Sequence, residues 1–86
     1  METGIVIKHP LSTEKSIRLM ESDNKLLFEV ATDATKRDIR QAIEKMFKVK
    51  VMSVATFVGP DSKKRAYIRF SKETPAIDIA TKLGLI

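Results

Sequence analysis

The feature that most constrains the fold is a strict alternation of residue types between Lys63 and Phe70, directly after a Gly59-Pro60-Asp61 turn. Successive side chains of a β-strand point to opposite faces of its sheet, so this segment predicts a strand with two different faces. One face is apolar and predicts a core, formed by Ala66, Ile68 and Phe70. The other predicts an open sheet face on which two guanidinium groups flank a phenol ring, those of Arg65, Tyr67 and Arg69.

Such a face suits a polyanion that carries flat bases, because phosphates attract the cations and rings stack on rings. The same pattern is equally typical of the solvated side of an ordinary half-buried strand, where Lys and Arg are frequent. The remaining sequence has to decide between the two interpretations.

Length and charge narrow the class of protein. A chain of 86 residues predicts one domain over residues 1–86, with a single thin core. The net charge of +5 favours an acidic partner, with nucleic acid ahead of an anionic membrane. The absence of cysteine fits a reducing compartment, and the first seven residues are too short and too weakly basic for a signal peptide. No apolar run has the length of a membrane helix, so we expect a cytoplasmic protein without direct membrane insertion.

Hydrophobic periodicity predicts four strands and three helices in the order (β)αβαββα. The first strand, or an extended arm, covers residues 4–8 and is expected to end at Pro10. The other predicted elements are a helix over 13–22 capped by Ser12 or Thr13, strands over 25–31, 49–58 and 64–71, a helix over 36–47, and a last helix with Thr74 as N-cap, Pro75 as first residue and Gly84 near its end.

This order predicts an α+β fold, a small single-domain sandwich with an antiparallel or mixed sheet and flanking helices. The right-handed crossover rule is satisfied if the last strand inserts between the two strands that precede it, which leaves those two parallel.

Groups for catalysis are scarce. His9 is the only histidine and has no cysteine or second histidine with which to share a metal ion. The acidic residues are scattered singly, and the three glycines form no phosphate-binding loop. The sequence therefore predicts a non-enzymatic protein with no metal and no cofactor.

Basic residues, in contrast, cluster in three segments. Residues 63–72 contain five basic side chains and no acidic one, residues 36–50 contain six and two, and residues 8–18 contain three and one. Each cluster alone is typical of a solvated face. Together with Tyr67 in the densest cluster, they favour nucleic-acid binding.

Three ordered motifs carry a resemblance to a known family. They are KHPLSTEK at residues 8–15, ATKRDIRQAI at residues 34–43 and KRAYIR at residues 64–69. These resemble the opening, the helix and the basic strand of the ribosomal protein L23 family of the large subunit, in its short archaeal or eukaryotic form. Phe70 stands where the family usually has leucine.

The resemblance implies a structural ribosomal protein, monomeric within the ribosome, that binds large-subunit ribosomal RNA near the exit of the polypeptide tunnel, beside neighbouring large-subunit proteins. It also implies docking of the signal recognition particle, nascent-chain chaperones and the protein-conducting channel. Bacterial members carry a long basic hairpin in the tunnel, whereas the connection at residues 59–63 is a tight loop here.

The expected RNA contacts follow from the basic clusters and the resemblance. They are Lys8, His9, Ser12, Lys15, Lys36, Arg37, Arg40, Lys63, Lys64, Arg65, Tyr67 and Arg69. Glu14 falls on the family's acidic docking position, although an acid there also stabilises the first turn of a helix. Ser12 and Thr13 are likewise either helix caps or hydroxyl donors to phosphate.

Two other functions fit a small α+β domain. A regulatory or protein-interaction module predicts an apolar pocket or an exposed hydrophobic patch. A free-standing RNA- or DNA-binding domain outside the ribosome predicts binding to defined oligonucleotides by the protein alone.

Overall fold

The structure is a computed structural model that describes residues 6–84. Its strands and helices alternate along the chain before the last two strands follow each other directly. In order they are β1 (Ile7–Leu11), α1 (Glu14–Asp23), β2 (Lys25–Val30), α2 (Lys36–Phe47), β3 (Val51–Val58), β4 (Lys64–Phe70) and α3 (Ala76–Lys82). The predicted α+β class and element order are confirmed.

The four strands form one sheet in the order β1-β2-β4-β3, and each neighbouring pair is antiparallel. The last strand, β4, therefore lies between β2 and β3, which run parallel to each other. This is the arrangement under which the sequence analysis expects the crossover rule to be satisfied.

The helices pack on one face of the sheet and build the core there. Its side chains come from every described strand and from α2 and α3, and the largest fully buried ones are Phe28, Phe70, Ile39, Ile43, Ile68 and Ile79. Ala66, Ile68 and Phe70 of β4 all lie in this core, while Arg65, Tyr67 and Arg69 lie on the other face. The two-faced strand predicted from the alternation is confirmed.

The prediction that Pro10 ends the first strand was wrong. Pro10 lies inside β1 and pairs with Phe28. Because β1 is an edge strand, a residue without an N–H is tolerated on its unpaired side. Part of the predicted strand over residues 4–8 lies outside the described residues.

Helix ends follow local capping rules, with one exception. Thr13 and Thr35 each cap a helix through a reciprocal hydrogen-bond pair with the residue three positions later, Ser16 and Asp38. The expected Thr74 cap of α3 was wrong, since Pro75 occupies the cap position and provides no side-chain hydrogen bond.

Asn24 takes over that capping function from a distance. It lies in the left-handed conformation at the end of α1, with φ 58°. Its Oδ1 accepts a hydrogen bond from the Ala76 N–H at 2.6 Å, and its Nδ2 lies 3.0 to 3.1 Å from the carbonyl oxygens of Phe70, Ser71 and Thr74. One side chain thus joins the end of α1, the end of β4 and the start of α3.

Candidate nucleic-acid interface

One face of the sheet lies opposite to the core residues of β4. The strand register places three rows of side chains across this face. The middle row is Leu11, Leu27, Tyr67 and Ala55. The row nearer the hairpin is His9, Glu29, Arg65 and Phe57, and the row at the other end is Lys25, Arg69 and Ser53. We call this surface the open face.

An aromatic pair dominates the open face at the β3 side. The rings of Phe57 and Tyr67 stack with centroids 5.6 Å apart and an angle of 25° between their planes. Phe57 is 40% exposed and Tyr67 is half-buried, so the pair reaches solvent mainly through the ring of Phe57. Sequence reasoning missed Phe57. The alternation of β3 contains the signal, because Phe57 and Ala55 both fall on the strand face opposite to Val54.

Arg65 is held by an acid of its own hairpin. Its two terminal nitrogens lie 2.7 and 3.3 Å from the two carboxylate oxygens of Asp61. This hydrogen-bonded pairing raises the pKa of Arg65 and lowers the pKa of Asp61, to which the Lys63 N–H also donates. Gly59 lies directly beneath the guanidinium group, where a Cβ would collide with it. The turn is therefore built around Arg65.

Lys64 is separated from Arg65 by the strand geometry. It pairs with Val30 and Val58 on the helix side of the sheet, and its Nζ donates a 2.6 Å hydrogen bond to the carbonyl of Ala34. Lys63 is exposed in the hairpin loop. The three adjacent basic residues predicted as one contact group thus point to different places.

The side chains of Lys8 and His9 both lie close to the buried carboxylate of Glu29. A β-bulge between Ile7 and His9 brings both side chains to Glu29, at 4.0 Å for Lys8 and 3.5 Å for His9. Glu29 is only 7% exposed, so these neighbours and Arg65 compensate the cost of burying its carboxylate. This corner of the open face carries less free positive charge than the sequence suggests.

Arg69 is the guanidinium group of the open face that remains available. It is exposed, and it forms no ion pair with any residue between positions 6 and 84. Its neighbour across the strand, Lys25, lies 3.7 Å from Asp23.

The basic residues at the start of α2 form a separate patch on the helix side. Lys36, Arg37 and Arg40 line a shallow groove together with Val54. Arg40 is partly committed, because its Nη2 donates to the Val51 carbonyl at 2.7 Å and its Nε lies 3.8 Å from Glu44.

In the segment before α1, helix capping and exposure for RNA contact belong to different residues. Thr13 is the cap, while Ser12 and Lys15 are exposed. Glu14 is also exposed, in the first turn, and its Oε1 accepts a 3.0 Å hydrogen bond from Arg18.

An apolar groove lies beside this helix. It has a volume of about 300 Å³ and is lined mainly by Leu11, Ile17, Met20, Leu26, Leu27 and Ile77. Ile17 and Ile77 at its rim are 45% and 50% exposed. This is the kind of pocket that the protein-interaction alternative predicts.

Two searches of the described residues have negative results. No group of three or more His, Asp or Glu side chains within residues 6–84 is arranged to hold a metal ion. In the same part of the chain, no helix is long and apolar enough to cross a membrane.

These features define a class of small α+β proteins that cover one face of an antiparallel sheet with helices and leave a cationic, aromatic face open. Comparison with protein families matches residues 5–81 to ribosomal protein L23. A similar relative is the large ribosomal subunit protein uL23 of Trypanosoma brucei brucei, which is 42% identical over 81 residues. That alignment covers 94% of this chain and 49% of the relative, so the chain spans about half the length of the curated relative.

The chain therefore belongs to the ribosomal protein L23 family. Proteins of this family are structural constituents of the large ribosomal subunit, located in the cytoplasm as part of the ribosome. The family is non-enzymatic, which confirms the expectation drawn from the scarcity of catalytic groups.

Proposed function

We propose that the chain binds large-subunit ribosomal RNA through its open face, near the exit of the polypeptide tunnel, as a monomer beside neighbouring large-subunit proteins. The observation that carries this proposal is the exposed Phe57–Tyr67 stack next to the uncommitted guanidinium of Arg69. Unpaired RNA bases stack on aromatic rings, and the phosphates beside them pair with arginine.

Within this proposal the predicted contact residues fall into two groups by their availability. Lys15, Lys63 and Arg69 are exposed and form no ion pair with a described residue. The second group already donates hydrogen bonds within the protein and consists of Lys64, Arg65 and Arg40. These side chains position β4 and α2, and they contact phosphate only with their remaining N–H donors. Lys36 and Arg37 serve a second RNA segment on the helix side.

A salt titration separates these groups. Replacing Lys63 and Arg69 together with alanine is expected to reduce the slope of log affinity against log salt by roughly 0.7 to 0.9 for each lost phosphate contact. The measurement is filter binding of the full chain to large-subunit ribosomal RNA across a series of salt concentrations.

The matched control is the double variant Lys64→Ala with Arg65→Ala, which removes the same net charge from the adjacent positions. We expect it to lower the stability of the hairpin and to change the slope less. If the control pair carries the larger change in slope, the division into available and committed residues is wrong.

We further propose that the surface around Glu14 docks factors that meet the emerging chain: the signal recognition particle, nascent-chain chaperones and the protein-conducting channel. Glu14 is exposed, and one turn further along α1 Ile17 forms the rim of the apolar groove. An acid beside an apolar groove suits a partner that presents a basic residue next to an apolar one.

Charge reversal tests this docking surface. In ribosomes that carry Glu14→Lys, the affinity for the signal recognition particle is expected to fall several-fold while incorporation of the protein into the large subunit is unchanged. Asp33→Lys, at an exposed position that does not line the groove, is the matched control. Equal loss with both variants would attribute the effect to overall charge and would remove Glu14 from the docking surface.

A further inference from the structure

We propose that a small pocket at the end of β4 binds a phosphate group. The pocket is lined by Met52, Ser53, Arg69, Phe70, Ser71 and Lys72. It thus combines two cationic side chains with two hydroxyl groups, and no acidic residue lines it. Guanidinium, ammonium and hydroxyl groups are the donors that phosphate oxygens accept.

A local irregularity of the sheet opens this pocket. Val51 pairs with Phe70 and Ser53 pairs with Arg69, so Met52 is an extra residue in β3 that forms a β-bulge. A bulge bends the strand and interrupts the regular pairing. The chain then leaves β4 through Ser71, whose N–H donates to the Lys50 carbonyl at 3.3 Å. Met52, Ser53, Arg69, Ser71 and Lys72 therefore lie around one space at this end of the sheet, while the Phe70 side chain belongs to the core.

The hydroxyl of Ser71 is an unexplained feature of this site. Its Oγ is buried and has no hydrogen-bond partner among residues 6–84, and it is the one buried side-chain polar atom of that part of the chain in this condition. Buried polar atoms normally have partners, and no described residue supplies one here, so this hydroxyl is free to bond a water molecule or a ligand.

The charges around the pocket favour an anion. Neither Arg69 nor Lys72 forms an ion pair with a residue between positions 6 and 84. Asp23 lines the adjoining groove with the same two cations, but it lies 3.7 Å from the Lys25 Nζ, which offsets its charge.

The phosphate has two sources, the backbone of an RNA strand and free phosphate. The backbone is the natural source if the proposed function holds, and to that extent this inference rests on it. Tyr67 and Arg69 are two positions apart on β4, roughly 7 Å. If an RNA base stacks on the aromatic pair, a backbone phosphate of the same RNA can therefore reach the pocket.

The test uses the folded full chain and two probes, inorganic phosphate and an oligouridine of twelve nucleotides. Amide chemical shifts are followed by nuclear magnetic resonance during each titration. With inorganic phosphate we expect shifts concentrated at residues 53 and 69–72. Ser71→Ala is expected to weaken phosphate binding by roughly tenfold to a hundredfold, as the loss of a hydrogen bond to a charged group does.

Ser71→Ala also separates a ligand contact from a structural role. Because the hydroxyl has no partner in the described residues, its removal is expected to leave the midpoint of urea unfolding unchanged or raise it. Thr81→Ala is the matched control, since Thr81 is exposed, lines neither this pocket nor the adjoining groove, and its Oγ1 donates to the Ile77 carbonyl within α3.

Each outcome has a definite meaning. Weaker binding of both probes to Ser71→Ala supports a site for RNA backbone phosphate. Weaker binding of phosphate with unchanged oligouridine binding keeps the pocket but overturns RNA as its source. Unchanged phosphate binding, as in Thr81→Ala, overturns the pocket. Failure of the proposed function is distinguishable, because wild-type protein would then fail to bind oligouridine or ribosomal RNA at all.

Discussion

Replacing Asn24 with alanine is expected to lower the free energy of unfolding by about 3 to 4 kcal/mol, because four backbone groups lose a side-chain partner whose two N–H groups are shared among three carbonyls, and because alanine is disfavoured in the left-handed conformation. These groups are the carbonyls of Phe70, Ser71 and Thr74 and the N–H of Ala76. The measurement is urea unfolding of the variant and the wild type, followed by far-ultraviolet circular dichroism.

Two further substitutions divide this loss into its causes. Asn24→Gly removes the side chain but tolerates the left-handed backbone, so its difference from Asn24→Ala gives the conformational part. Asn24→Asp keeps an acceptor for the Ala76 N–H but offers the three carbonyl oxygens no donor, and it is expected to be destabilising as well. A loss below about 1 kcal/mol for Asn24→Ala, no more than one ordinary hydrogen bond, would show that Asn24 does not join these elements.

Replacing both Phe57 and Tyr67 with leucine is expected to weaken binding of a twelve-nucleotide oligouridine by about tenfold to a hundredfold. Leucine keeps an apolar side chain on the strand but removes the π-face, and stacking on an aromatic ring contributes about 1 to 3 kcal/mol for each base. The slope of affinity against salt is expected to stay the same, since no charge changes. Tyr67→Phe is the matched control because it retains the ring.

The sequence provides a direct readout for this experiment. Tyr67 is the only tyrosine and there is no tryptophan, so intrinsic tyrosine fluorescence reports this one ring. Stacking of a base on Tyr67 is expected to quench that fluorescence in the wild type. Normal quenching with normal affinity in Phe57→Leu would remove Phe57 from the interface, and absence of quenching in the wild type would remove Tyr67.

Periodicity predicted most of the fold because the relevant pattern is local. Seven successive residues are enough to predict the two faces of β4. The apolar stripe of α2, together with its Thr35 cap, predicts where the observed helix begins and ends. The position of β4 between β2 and β3 is the one that the sequence analysis named as compatible with a right-handed crossover, although the order of the elements alone does not require it.

The site was less predictable because side-chain partners depend on tertiary contacts. The pattern identified Lys64 and Arg65 as basic, but it does not reveal that Ala34 and Asp61 occupy their donors. Asn24 is the clearest case, since its partners lie 46 to 52 residues away and the sequence indicated only a turn there. Pro10 is a second case, because a proline is tolerated within β1 only since β1 lies at the edge of the sheet, which the local sequence does not show.

The central position of β4 has a consequence for the way in which the chain acquires its fold. Until β4 exists, β3 has no partner strand, and β2 can pair only with β1. Joining the β1-β2 pair to the β3-β4 hairpin therefore requires closure of the long segment between Lys25 and Arg69, which pair with each other, and long closures slow folding. During synthesis on the ribosome, a nascent copy of this protein would expose its uncharged β3 segment until β4 emerged to pair with it.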